Sequence, residues 1–130
     1  MNKQFVLNGI LLILLAIIIG AFGTHVLYNH LSREMFVSFE TGVKYQIYQG
    51  LGLLIIGLNF DKINFKSNTF FYLYLTGTVF FSFSIYFLVL ANFFQISKTV
   101  FIPLTPIGGV LIICSWILLF IRILTSNLNK

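Results

Sequence analysis

Charged residues are scarce in this sequence, and acidic ones are the scarcest. Of the 130 residues only 8% are charged, with three acids against eight Lys and Arg, while 58% are hydrophobic. A soluble domain carries about 25% charged residues, because its surface must be hydrated. The composition therefore excludes an ordinary soluble domain, whose core could not take up so much apolar surface.

Residues that build reactive or metal sites are also few. The one cysteine, Cys114, cannot form an intrachain disulfide and lies in an apolar run, where we expect it to pack as a small side chain. His25 and His30 are five residues apart, whereas two metal ligands on one helix favour a spacing of three or four. No glycine-rich phosphate loop follows a predicted strand. The sequence thus predicts no metal and no cofactor.

The basic residues are scattered at the ends of apolar runs and never form a run of their own. Nucleic-acid binding, which needs a basic patch, is therefore not predicted. Basic residues near membrane spans instead favour the cytoplasmic side. With four spans, the N-terminus, the second loop and the C-terminus share one side, so we expect both termini in the cytoplasm. That side holds most of the basic residues: Lys3, Lys62, Lys66, Arg122 and Lys130.

Four apolar runs are long enough to cross a membrane. They lie at residues 5–22, 41–60, 69–92 and 106–124. A helix needs about 20 apolar residues to span a hydrocarbon layer of about 30 Å. Because every backbone polar group must be paired inside the bilayer, we predict an all-α fold. Residues 1–130 form one transmembrane domain, an antiparallel up-down four-helix bundle.

Two helix starts carry capping signals. Residues 24–40 form an amphipathic segment, and Ser32 is suited to cap a helix that continues from it into the second span. We expect this interfacial segment to lie at the membrane surface before helix 2. At the fourth run, Thr105 is predicted as the cap and Pro106 as the first helical residue.

Small residues recur at helical spacing, a pattern that favours close packing of membrane helices. In the first run they share one stripe when projected at 100° per residue. The positions for which we predict helix packing are Gly9, Ala16, Gly20, Gly23, Gly52, Thr78, Gly108 and Gly109.

The second run opens with a concentration of polar side chains at residues 40–49. On a helical wheel seven residues occupy one half of this helix: Glu40, Thr41, Lys44, Tyr45, Tyr48, Gln49 and Gly52. Polar groups that face lipid stay unsatisfied, so this half is predicted to face the bundle or the headgroup zone. Glu40 and Lys44 are spaced to form an ion pair, which either neutralises itself at the interface or belongs to a ligand site.

The third run offers partners for that polar face. Thr78, Ser82 and Tyr86 follow one another at intervals of four and are suited to interhelical hydrogen bonds. The candidate residues for binding a ligand, a lipid or a partner are His25, Glu40, Lys44, Tyr45, Gln46, Tyr48, Gln49, Ser82 and Tyr86.

Four segments, taken in order, resemble the domain-of-unknown-function 423 family. They are GAFGTH at 20–25, YQIYQ at 45–49, FSFSIY at 81–86, and TPIGG at 105–109 followed by Trp116. The resemblance covers nearly the whole chain and implies a small four-helix protein of the bacterial cytoplasmic membrane, related to the eukaryotic transmembrane protein 256. It implies no reaction. The family usually has a histidine where this chain has Gln49, so the resemblance supports no proton-handling role for that position.

These observations favour a non-enzymatic membrane protein that binds lipid or another membrane protein, as a homo-oligomer or within a larger complex. A small transporter or channel is the alternative, based on the polar face of helix 2. A lipid-acting membrane enzyme would need His25 near an acid and a nucleophile, yet Ser82, Ser84 and Cys114 have no histidine in their own helices. We expect any site to lie between helices 2 and 3 on the non-cytoplasmic side.

Overall fold

The computed structural model of the chain describes residues 1–63, 68–97, 99 and 101–127. Within these residues every regular element is a helix and no strand occurs, which confirms the all-α fold class. The helices are α1 (Lys3–Phe22), extended by a π-helical turn (Gly23–Leu27), then α2 (Arg33–Leu58), α3 (Phe60–Ile63), α4 (Asn68–Phe93) and α5 (Leu104–Asn127).

Helix α2 is longer than the apolar run from which it was predicted. The amphipathic segment is not a separate element, since its second part is the beginning of α2 itself, at Arg33. The Ser32 hydroxyl accepts a hydrogen bond from the Met35 backbone N–H at 3.3 Å, which confirms Ser32 as the cap. The chain therefore enters α2 eight residues before Thr41, where the predicted span begins.

Helix α5 also begins earlier than predicted, at Leu104, so Pro106 is its third residue. Proline is tolerated there because the N–H groups of a first turn have no partner within the helix. The prediction of Thr105 as the cap was wrong, because this residue lies inside α5 and its hydroxyl has a tertiary partner. Its Oγ1 lies 2.7 Å from the Ser84 Oγ of α4.

The predicted turn at residues 61–68 is described only in part. Its first residues belong to the single turn of α3, and residues 64–67 lie outside the described residues, as does Lys130. The Asp61 carboxylate forms an ion pair with the amino group of Met1. The beginning of α1 is thereby held against the end of the α2–α3 segment.

Glycines allow the helices to approach until their backbones touch. A methyl group added at Gly9 of α1 would lie 2.8 Å from the carbonyl oxygen of Gly50 in α2. Gly77 of α4 stands in the same relation to α5, where a methyl group would lie 2.9 Å from the Ile112 nitrogen. Both distances are too short for a real carbon contact, so a larger residue would separate the helices.

The contacts pair residues in opposite order along neighbouring helices. Between α1 and α2, Asn2 meets Gly57, Gly9 meets Gly50 and Gly20 meets Val43. Between α4 and α5, Gly77 meets Ile112 and Ser84 meets Thr105. Helix α2 contacts α4 in the same way, from Met35 with Asn92 to Gln49 with Tyr74. Each of these three pairs therefore runs antiparallel.

Many large apolar side chains lie on the outside of the helices, and several polar ones are buried between the helices beside an apolar core. Leu14 of α1 is 52% exposed and Phe120 of α5 is 68% exposed, whereas Gln46, Ser82 and Ser115 are fully buried. A water-soluble protein buries its large apolar residues and exposes its polar ones. The reversed distribution is the one that a lipid environment favours.

Three segments among the described residues are long and apolar enough to cross a membrane: Lys3–Leu27, Asn68–Phe93 and Leu104–Thr125. The run at 41–60, predicted as a fourth span, is not one of them. Helix α2 has 26 residues, which is about 39 Å at 1.5 Å per residue and thus long enough. Within the run at 41–60, however, Lys44, Gln46 and Gln49 lower the apolar content. The other charged residues of α2 precede the run: Arg33, Glu34 and Glu40.

Candidate functional site

Five side chains of α2, α4 and α5, here termed the polar network, form two hydrogen-bonded groups: Gln46 with Tyr86, and Gln49 with Tyr74 and Trp116. Four of the five are buried, and Trp116 is 40% exposed. Helix α2 directs both glutamines inward because they share its buried face with glycines and Leu53. The glycines on that face leave room for large side chains from α4, as at Gly42, where an added methyl group would lie 2.8 Å from the Tyr86 ring.

Gln46 connects three helices from a fully buried position. Its Nε2 donates to the carbonyl oxygen of Leu12 in α1 at 3.0 Å. Its Oε1 accepts from the Tyr86 hydroxyl of α4 at 2.8 Å. A buried amide is costly unless it is paired, so these two bonds are what makes glutamine acceptable there.

Gln49 makes the corresponding connection toward α5. Its Oε1 accepts from the indole nitrogen of Trp116 at 3.2 Å, and its backbone oxygen accepts from the Tyr74 hydroxyl at 2.9 Å. The Tyr74 and Trp116 rings also pack together, with centroids 5.7 Å apart. The polar network therefore joins all four long helices, with Leu12 as its contact on α1.

The hydroxyls of α4 do not all reach another helix. Thr78, Ser82 and Tyr86 lie on one buried face, as their spacing predicts. The Thr78 hydroxyl, however, donates to the Tyr74 carbonyl of its own helix at 2.7 Å. The Ser82 hydroxyl is buried and has no hydrogen-bond partner among the described residues. Of the three, only Tyr86 makes the expected interhelical bond.

The remaining candidate residues lie away from the polar network. Lys44, Tyr45 and Tyr48 are exposed on α2, and His25 is exposed on the π-helical turn. The Tyr45 ring packs against Phe81, with centroids 4.9 Å apart. The wheel half was predicted to face the bundle or the headgroup zone. Its members Lys44, Tyr45 and Tyr48 face outward, whereas Gln49 is buried and Gly52 lies against Tyr74. From the outer face of α2, long side chains with polar tips can reach the headgroup zone. The buried face of α2 carries glycines instead, because neighbouring helices approach it closely.

The ion pair between Glu40 and Lys44 is formed, with a distance of 3.7 Å between the charged atoms. Its side chains are 45% and 60% exposed, respectively. An exposed pair at this spacing contributes only about 0.2–0.5 kcal/mol. The pair therefore contributes little to the stability of the fold.

We predict that Glu40→Gln and Lys44→Met each change the free energy of unfolding by less than about 0.5 kcal/mol. The protein is solubilised in a mild detergent and unfolded by titration with a denaturing detergent. Circular dichroism monitors the loss of helix. A loss of several times this size for either variant would mean that the pair has a role in folding that its exposure does not suggest.

The small residues predicted to pack lie against neighbouring helices to different degrees. A methyl group added at Gly20 would lie 3.2 Å from the Val43 side chain. Gly23 faces the Phe39 ring, and Ala16 is fully buried. Gly52 lies against the Tyr74 hydroxyl, and Gly108 lies against the backbone of α4. Gly109 has only an ordinary contact, since an added methyl group would lie 3.7 Å from the Phe81 ring.

Two of the nucleophilic side chains named from the sequence, Ser84 and Cys114, lie on different helices, α4 and α5. Ser84 Oγ donates to the Phe81 carbonyl and pairs with Thr105, and Cys114 is exposed on α5. Across the described residues, no three His, Cys, Asp or Glu side chains lie close enough together to hold a metal ion. The arrangement of the polar network serves hydrogen bonding between helices.

A cavity of about 430 Å³ opens between α2, α4 and the beginning of α5. None of its lining residues was among the candidates from the sequence. Its polar and thioether lining comprises Glu34, Met35, Ser38, Thr41, Asn92 and Thr105. One signal was available, because Glu34, Ser38 and Thr41 are spaced by four and three residues and so share a helix face.

The apolar side chains on the exterior, the polar side chains buried between the helices and the three apolar spans define an α-helical membrane protein. More particularly, the chain belongs to the family described as "Protein of unknown function (DUF423)", whose profile matches residues 19–109. This match confirms the resemblance seen in the four sequence segments.

Relatives from bacteria extend the similarity over almost the whole chain. The UPF0382 membrane protein of Staphylococcus epidermidis strain ATCC 12228 is 40% identical over 122 residues, which are 94% of this chain and 96% of the relative. The UPF0382 membrane protein YwdK of Bacillus subtilis is 36% identical over 121 residues, 92% of this chain and 94% of the relative. No solved structure matches the chain.

Proposed function

We propose that the chain is a four-span, up-down helical bundle of the bacterial cytoplasmic membrane and that it is a non-enzymatic binding protein. In this proposal α2 is the fourth span, and both termini lie in the cytoplasm. The protein holds a lipid or another membrane protein, either as a homo-oligomer or within a larger complex, and carries out no reaction.

The pairing of the buried glutamine side chains carries this proposal. Gln46 and Gln49 use their side-chain oxygens to bind Tyr86 and Trp116, so their polarity serves contacts between helices. A pore would need polar groups that remain free to meet water or an ion. The interior is thus occupied by a scaffold, and the apolar outer faces of α1 and α5 remain for lipid or protein partners.

The position of α2 supports its assignment as a span. Its length matches that of the apolar helices, and it lies between α1 and α4 through close glycine contacts at Gly50 and Gly42. Its buried amides are satisfied within the bundle, which removes the main cost of placing them in a membrane. Its charged side chains belong to its first part, where they would meet the headgroup zone.

Extraction from membranes tests the binding function. We expect protein solubilised in a mild detergent to retain a defined lipid or a protein partner, detected by native mass spectrometry and crosslinking. A strictly monomeric particle without lipid or partner would contradict the proposal. Flux measurements on vesicles reconstituted with the wild-type protein test the transporter alternative. That alternative requires the protein to support a flux of protons, ions or cationic dyes.

Labelling of single cysteines tests the topology. In a Cys114→Ser background, a membrane-impermeant maleimide applied to intact cells should label Asn29→Cys in the loop after α1, and should not label Lys3→Cys. The background variant without an added cysteine is the control. Labelling of Lys3→Cys in intact cells would reverse the proposed orientation.

A further inference from the structure

The hydroxyl groups that line the cavity have already donated their protons within the protein. Ser38 Oγ donates to the Glu34 carbonyl at 3.0 Å, and Thr41 Oγ1 donates to the Val37 carbonyl at 2.9 Å. Each oxygen keeps lone pairs that can accept a further hydrogen bond. On the α2 wall these two residues therefore offer the cavity acceptors.

The same accounting applies to the wall formed by α5. Ser84 Oγ has a single proton, which goes to the Phe81 carbonyl at 3.0 Å. In the bond between Ser84 and Thr105, the donor must then be Thr105. Thr105 is thus a third hydroxyl whose proton is used and whose oxygen remains an acceptor.

Glu34 is the charged residue of the cavity lining, and its carboxylate is negative. It lies in the first turn of α2, and no Lys, Arg or His among the described residues forms an ion pair with it. Arg33, its neighbour in sequence, lines a different surface depression together with Tyr28 and Phe36. The carboxylate is therefore an acceptor-only group next to three hydroxyl acceptors.

The opposite side of the cavity is apolar. Ile85, Leu88 and Val89 of α4 form it, and Ile85 and Val89 are buried. A volume of about 430 Å³ lies within the range of about 300–1,000 Å³ in which small-molecule sites are found. A matching ligand has one cationic end that donates several hydrogen bonds and one apolar end.

We propose that this cavity binds a primary ammonium group carried on an apolar body, with Glu34 as the counter-ion and the hydroxyls of Ser38, Thr41 and Thr105 as hydrogen-bond acceptors. An ammonium group has three donors and no acceptor, which complements this lining. Both a free amphiphilic amine and the headgroup of an aminophospholipid supply it. The inference goes beyond the proposed function and does not depend on it.

Calorimetry with octylammonium chloride on the protein in nanodiscs of phosphatidylglycerol tests the inference. We expect saturable binding to the wild type and a dissociation constant at least about tenfold higher for Glu34→Gln, because a charge-assisted hydrogen bond is lost. Glu40→Gln, which removes a carboxylate of α2 outside this cavity, is the matched control and should bind like the wild type. Leu88→Trp fills the cavity and should abolish binding while leaving Glu34 in place.

The choice of probe separates charge from hydrogen bonding. Octanol lacks the charge, and octyltrimethylammonium has the charge but no N–H donors, so both should bind at least about fivefold more weakly than octylammonium. Equal binding of octanol, or unchanged binding by both Glu34→Gln and Leu88→Trp, would overturn the inference. Failure here leaves the proposed function standing if a lipid or partner still copurifies with Glu34→Gln.

Nanodiscs containing phosphatidylethanolamine and phosphatidylglycerol distinguish the two sources of the ammonium group. If native mass spectrometry finds phosphatidylethanolamine enriched on the wild type but not on Glu34→Gln, the site binds the lipid headgroup. If octylammonium binds through Glu34 without any such enrichment, the site binds a free amine, and the inference holds in that form. Absence of both effects contradicts it.

Discussion

Replacing Gly108 with alanine should destabilise the protein by about 1–3 kcal/mol, whereas the same replacement at the adjacent Gly109 should not. A methyl group at position 108 would lie 2.8 Å from the Gly77 carbonyl oxygen and 2.8 Å from the Phe81 Cα of α4. These are backbone atoms of a packed helix, so they cannot turn aside as a side chain could. Accommodation would require α5 to move away from α4 along the whole contact.

The Gly109→Ala variant isolates the other effect of the substitution. Alanine favours a helix over glycine by about 1 kcal/mol, and both variants gain this term. At position 109 the added methyl group makes an ordinary contact with the Phe81 ring, 3.7 Å away. We therefore expect Gly109→Ala to be neutral or slightly stabilising in denaturing-detergent titrations. Equal stability of the two variants would contradict the close backbone packing of α4 and α5.

This pair of glycines also marks a limit of prediction from the sequence. Both Gly108 and Gly109 fit the small-residue pattern, and nothing in the local sequence distinguishes them. Consecutive residues of a helix point about 100° apart, so only one of the two can face the neighbouring backbone. Which one does so depends on the rotation of α5 against α4, a property of the whole bundle.

The polar face of α2 was predicted only in part for a related reason. The wheel places residues by angle, and Lys44, Tyr48 and Gln49 fall within one half of it. The structure instead buries Gln49 with Gln46 and exposes the other two. The two glutamines can be buried because their side chains are paired, and their partners are on other helices. Local periodicity contains no information about those partners.

The spacing of four residues along α4 identifies more of the polar network than the three residues first named from it. It placed Thr78, Ser82 and Tyr86 on one buried face, and one further step toward the N-terminus reaches Tyr74, a member of the polar network. The series could therefore have identified Tyr74. Trp116 was noted only within the family resemblance, because its partner Gln49 is 67 residues away in sequence.

The second large effect is expected at Gln46. Gln46→Leu should lower the free energy of unfolding by about 1–3 kcal/mol, because it leaves the buried Tyr86 hydroxyl without an acceptor. Single interhelical hydrogen bonds in membrane proteins average about 0.6 kcal/mol, with a maximum of about 1.7. Gln46 makes two such bonds, to Leu12 and Tyr86, from a fully buried position. Two bonds of average strength contribute about 1.2 kcal/mol, so the lower part of the range is the expected one.

The matching change on α4 makes this prediction a test of the pair. Tyr86→Phe removes the donor and should cost about 1 kcal/mol, since the Gln46 side-chain oxygen then has no partner. In the double variant both buried polar groups of the bond are gone, so its loss should be smaller than the sum of the two single losses by at least about 0.5 kcal/mol. Simple additivity would mean that the two side chains do not act together. Coupling of the expected sign would establish that the α2–α4 contact is held by the polar network and not by apolar packing alone.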